Sequence, residues 1–211
     1  MKSRILYVVF FAALLSCAKN DKTENPQPCD ATENVQKVKV GDKAHGGVVF
    51  YVDDSEKHGM VMPLPELLPQ YNAAWWPDKA PYLTPGNFDL PTQTSIGNGK
   101  SNTDKLMGTS ATPYIAGICD ALVIGECFSD WYLPSVGELQ EIYKSKSKLP
   151  GVTLSGIYFS SNLEDAANAG LLILNKAVDL SNGTIRDIGL TNPQLLTRFD
   201  VKGPFIPIRS F

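Results

Sequence analysis

Two adjacent tryptophans, Trp75 and Trp76, with Tyr82 close behind, are the side chains here best suited to holding a ligand. They sit in a stretch from about 64 to 104 that is rich in Pro, Asn, Thr and Gly and offers no obvious cover for both rings. An uncovered aromatic face can stack on a sugar or fill a partner's pocket, although at least one of the two tryptophans is expected to pack in the core. Groups for catalysis are sparse. The chain has only two histidines, His45 and His58, and no HExxH or GxSxG string, which leaves no pattern for a zinc hydrolase or a serine esterase. Lys100-Ser101 after Gly99 is half of a phosphate loop, but Thr94 stands where its first glycine is needed. Asp53, Asp54 and Glu56 could offer oxygens to calcium, although a solvated charged turn explains them better. Neither a metal nor a cofactor is expected.

The cysteines carry different chemistry. Lys2 and Arg4 precede an uncharged apolar run from Ile5 to Leu15, the arrangement of a secretory signal and too short to span a bilayer, which takes about 20 apolar residues. The run closes on Leu14-Leu15-Ser16-Cys17, which resembles the lipobox of bacterial lipoproteins. That resemblance implies cleavage after residue 16 and a lipidated Cys17, anchoring the chain to a membrane as an outer-membrane lipoprotein that faces the periplasm or the cell surface. Several acyl chains hold firmly, because each buried methylene contributes about 0.8 kcal/mol. Residues 17–37 are then a polar, proline-bearing tether that cannot bury enough surface to offset its ordering entropy. As a random coil it reaches roughly 25 Å. In an oxidising compartment a disulfide is allowed. Cys119 and Cys127, flanking a turn at Gly125, are the favoured pair, with Cys29 left over; three free thiols are the alternative.

Residues 38–211 are long enough for one domain with its own core. The net charge of −3 becomes −5 once Lys2 and Arg4 leave with the signal, which argues against nucleic acid as a partner. With 17 glycines and 15 prolines, the domain should be loop-rich with short strands. Gly46–Val52 reads as a strand and Gly59–Pro63 as its hairpin partner. Thr112-Pro113 opens a helix whose buried face is Tyr114, Ile115, Ile118 and Leu122. Ser135-Val136-Gly137-Glu138 has capping-box spacing, with Pro134 fixing the entry and Leu139, Ile142 and Tyr143 forming the apolar stripe. Ile157–Ser161, Gly170–Leu174 and Phe205–Arg209 read as further strands, the last at an edge, and Asn182-Gly183 marks a hairpin turn. The expectation is an α+β domain with two helices.

Five separated motifs carry a family resemblance. They are Gly41-Asp42 with Gly46–Asp53 and His58-Gly59; Ile96–Thr103; Asp130-Trp131-Tyr132-Leu133-Pro134-Ser135 followed by Glu138; Tyr158-Phe159-Ser160-Ser161; and Ile208-Arg209-Ser210-Phe211. In this order they resemble the collagen-like adhesin C-terminal (Lcl-type) domain. The resemblance implies a C-type lectin-like fold and a non-catalytic role in adhesion, with a glycan or a surface protein as ligand. Two positions depart from it: Phe159 replaces a tryptophan, and Cys127 is additional. A structural subunit of an envelope assembly is the alternative, and an enzyme acting on a surface polysaccharide is a more distant one. Asp130 and Trp131 could form a ligand pair, but a role in holding the loop before the capped helix is favoured. Lys144, Lys146 and Lys148 could meet a polyanion, yet cations there also suit the negative end of a helix.

Overall fold

The structure is a computed structural model that describes residues 37–75, 90–108, 114–125, 127–165, 173–192, 197–198 and 201–211. Strands β1 (Lys43–Ala44), β2 (Gly47–Val52) and β3 (Gly59–Met62) form an antiparallel meander. The β2–β3 register shifts between Val49 and Tyr51. Val48, Phe50, Met60 and Met62 bury in one core and Val49 and Val61 in another. A sheet covered on both faces needs this nearly unbroken apolar run. At Gly47 there is no room for a side chain, since a Cβ would lie 2.1 Å from the Met62 carbonyl oxygen.

After a 3₁₀ turn at Pro65–Gln70 come β4 (Asn72–Ala74) and three helices among the described residues: α1 (Gly99–Met107), α2 (Tyr114–Asp120) and α3 (Val136–Ser145). Two of these match the expected helices, although Thr112 and Pro113 lie outside the described residues. Helix α1 is a correction, because it falls in the stretch read as irregular. Its sequence has apolar residues only at Leu106 and Met107 and no side-chain N-cap, so neither periodicity nor capping announces it. Helix α3 carries the predicted capping box complete, with Ser135 Oγ accepting from the Glu138 amide and the Glu138 side chain accepting from the Ser135 amide.

The second half adds β5 (Ile157–Tyr158), β6 (Leu163–Asp165), β7 (Ile173–Asp179), β8 (Thr184–Gly189), β9 (Thr191–Asn192), β10 (Thr197–Arg198), β11 (Lys202–Pro204) and β12 (Arg209–Ser210). Strand β7 pairs with β5, β6 and β8, all antiparallel. The predicted turn closes the β7–β8 hairpin at Gly183, with φ +79°. Strand β11 pairs with β4, and β12 completes the first sheet at its edge beside β3. Two strand readings shrink. Only Ile157–Tyr158 of 157–161 pairs, because the next residues turn their polar groups into the interior. Phe205–Pro207 is buried but joins no strand ladder between β11 and the Tyr132–Ile208 bridge, Phe205 N donating instead to the Tyr71 carbonyl at 3.0 Å. Residues 170–172 lie outside the described set.

The molecule is a mixed α+β module with several small antiparallel sheets. Strand β7 separates its two main cores. Ala177 and Ile173 pack with Trp75, Leu106, Ile115 and Phe205, whereas Val178 packs with Leu139, Ile142 and Ile206.

Candidate functional site

The motif residues meet in a buried polar junction. Glu138 is fully buried. One carboxylate oxygen accepts from the Ser135 amide at 2.6 Å, and the other accepts from the amides of Gly97 at 3.0 Å and Gly99 at 3.4 Å. One anion thus serves the amino ends of both α1 and α3, where orphan amides and the helix dipole favour negative charge. This is the physical reason α1 can start without a capping side chain. It also answers the phosphate-loop question, because Glu138 already occupies that end of α1. Gly99 must be glycine, since a Cβ would lie 2.2 Å from the carboxylate.

Around this carboxylate, polar side chains tie distant loops together. Asn162 accepts from the Val136 amide at 2.8 Å and donates to the Gln93 carbonyl at 2.7 Å. Asn102 donates to the same carbonyl at 2.7 Å and to Ser161 Oγ at 3.1 Å. Asn175 donates to the Ser160 and Asn162 carbonyls. Thr103 Oγ1 accepts from the Leu133 amide at 3.0 Å, and the Pro134 carbonyl accepts from Ser161 N at 2.7 Å. Three of the resembling motifs therefore meet in one buried network, which holds the 91–99 segment against both helices.

The other two motifs build the neighbouring surface. Asp130 pairs with Arg209 through both carboxylate oxygens, at 2.5 and 3.2 Å. Arg209 also donates to the His45 carbonyl at 2.8 Å, and its guanidinium lies 4.7 Å from the centre of the Phe128 ring. Trp131 is buried and donates to the Phe128 carbonyl at 2.8 Å. Asp130, Trp131, Pro134, Ser135 and Glu138 are thus committed to internal bonds or burial. His45 stacks on Phe211 with centroids 4.0 Å apart, and His58 is exposed.

Trp75 is the core member expected of the tryptophan pair, which removes it from the ligand candidates. It is fully buried and meets Phe159 edge-on, with centroids 5.6 Å apart, so it offers no face to a ligand. Trp76 and Tyr82 lie outside the described residues. The cysteine pairing is also corrected. Cys127 is disulfide-bonded, but not to Cys119, which is a free thiol. Cys119 sits on the core face of α2 among Trp75, Ile115 and Leu133, where burial pushes its thiol pKa well up. Asp53 accepts from the Ser55 amide and hydroxyl, which holds its pKa down, while Glu56 pairs with Lys37. That is a self-contained turn. No group of three or more His, Cys, Asp or Glu among the described residues could hold a metal ion. Lys144 pairs with Glu141. Lys146 donates to the Leu180 carbonyl at 2.6 Å and lies 4.5 Å from the centre of the Tyr143 ring, so it pins the β7–β8 turn.

One open cleft of about 320 Å³ stands apart from these bonds. Pro65 and Leu68 form one wall and the loop Gly151–Leu154 another; Tyr71, Asn72, Tyr158 and Pro204 complete the lining. No charged side chain is among the described residues that line it. The pairing of β4 with β11 sets Asn72 opposite Pro204, and a hydrogen bond from Phe159 N to the Pro204 carbonyl brings β5 alongside. Tyr158 is half-buried, which pushes its phenol pKa up. Asn72 and Thr153 are exposed. Three distant segments, 65–72, 151–158 and the strand holding Pro204, build this cleft, so no local spacing marks it in the sequence; only Tyr158 belongs to a motif singled out there.

This two-cored α+β module matches no known protein family model, and no curated protein matches the chain significantly in sequence. Among the described residues, no helix is long and apolar enough to cross a membrane.

Proposed function

We propose that this chain is a lipid-anchored, non-enzymatic binding domain of C-type lectin-like type that holds a glycan or a segment of a surface protein in the Pro65–Tyr158 cleft. Lipidation at Cys17, placement at the outer membrane and the adhesion role rest on the sequence resemblances. The single observation that carries the site is the cleft itself. Its volume falls at the small end of ligand pockets. Its wall mixes apolar and tyrosine surface with the exposed polar groups of Asn72 and Thr153. Apart from Tyr158, which lines the cleft, the motif side chains described above are spent on internal contacts, which leaves them to build the scaffold while the cleft meets the ligand.

Thr153→Lys tests this reading. Position 153 is exposed, so a long cation there should leave thermal unfolding within a few degrees of wild type, as surface substitutions generally do, while obstructing the cleft. Ligands retained by the purified domain on arrays of glycans and surface-protein segments should be lost from the variant. Undiminished retention by a folded Thr153→Lys domain would remove the cleft as the site.

A further inference from the structure

We infer that the ligand of the cleft is a neutral sugar residue, bonded directly by Asn72, Thr153 and Tyr158. This rests on the cleft reading above and narrows its ligand to one class. The three polar side chains line the cleft and spend no hydrogen bond on any described residue. Ser160, Ser161 and Asn162, which follow Tyr158 in the chain, do the opposite, since each is bonded inside the protein. The three cleft groups are nevertheless held in place. Asn72 stands in β4 opposite Pro204. The Tyr158 ring packs against the core around Leu139 and Ile142, and Thr153 lies between Val152 and Leu154, which pack there too. Groups fixed before binding lose little freedom when a ligand arrives. An amide, an aliphatic hydroxyl and a phenol each both donate and accept, which is the bonding that sugar hydroxyls need. Pro65, Leu68 and Pro204 supply apolar surface on which the C–H face of a sugar ring can rest. An extended peptide calls instead for a row of main-chain partners at strand spacing, whereas the groups here are side chains from separate segments.

The intact mature domain is passed over an array of neutral, sialylated and sulfated oligosaccharides printed beside uncharged heptapeptides, and the best-retained probe is then titrated. A neutral oligosaccharide should be retained, with the same affinity at low and high salt and in EDTA. Tyr158→Phe removes only a hydroxyl that has no partner among the described residues, so the melting temperature should hold while affinity falls roughly fivefold. Asn72→Ala removes a donor and an acceptor together and should weaken binding roughly tenfold. Wild-type affinity in folded Tyr158→Phe overturns the inference. So does loss of binding in EDTA, which would put a cation between protein and sugar. Retention of a sulfated or sialylated chain alone, or of a peptide alone, overturns it as well; if Thr153→Lys changes that binding, the cleft survives as the site. If no probe is retained, or Thr153→Lys leaves binding intact, the cleft reading falls too.

Discussion

Replacing Glu138 by alanine should cost the domain about 3–5 kcal/mol of unfolding free energy, measured by urea denaturation. The loss is large because the amides of Gly99 and Ser135 lose their acceptor inside the protein, and the more exposed Gly97 amide loses the same partner. A buried unsatisfied donor costs about 1–3 kcal/mol. Removing an expensive buried anion offsets part of this, so the net falls below the sum. Against a typical stability of about 5–15 kcal/mol, the variant should be near or past the limit of folding. Glu138→Gln should recover part of the loss, since one oxygen still accepts while the amide NH₂ opposes a donor.

The same pair reveals a pH dependence. Burial pushes the Glu138 pKa above the ordinary glutamate range, against the opposing pull of its amide donors. The folded state therefore holds this proton more tightly than the unfolded chain. Protonation favours folding, so the contribution is complete below the unfolded pKa and is lost as pH rises through the folded one. Wild type should gain on Glu138→Gln as pH falls through that window. A stability difference that is flat with pH would contradict the burial argument.

Trp75→Ala should destabilise the domain by about 3–5 kcal/mol, the usual cost of emptying a fully buried aromatic site. The ring is enclosed by core side chains and packs edge-on against Phe159. Trp75→Phe should cost markedly less, because much of the apolar volume is kept. Calorimetric unfolding of both variants checks the order. A ligand role without a core role would leave the melting temperature unmoved while binding disappeared.

Trp75 also shows what sequence reading leaves open, since it places one of the two tryptophans in the core but not which. A tryptophan in a polar stretch has no visible partner, because its cover comes from α2 and from Phe159 and Phe205, all distant in the chain. Local signals were readable where the physics is local. The capping box at Ser135, the turn at Gly183 and the apolar runs of β2 and β3 depend on neighbours a few residues away. Helix α1 was hidden for the opposite reason: the group that satisfies its first amides, Glu138, comes from another helix. Asn102, Asn162 and Asn175 look like ordinary surface residues in sequence, yet all are buried. The cleft left no trace beyond Tyr158, since its walls come together only in three dimensions.

The division between scaffold and site is open to one direct measurement: a nuclear magnetic resonance titration of the isotopically labelled domain with a ligand it retains. Amide shifts should move at Asn72, Gly151–Leu154 and Tyr158 and stay still at Asp130–Ser135 and Glu138. Shifts concentrated on Asp130, Arg209 and His45, with the cleft silent, would place the ligand elsewhere and contradict this account.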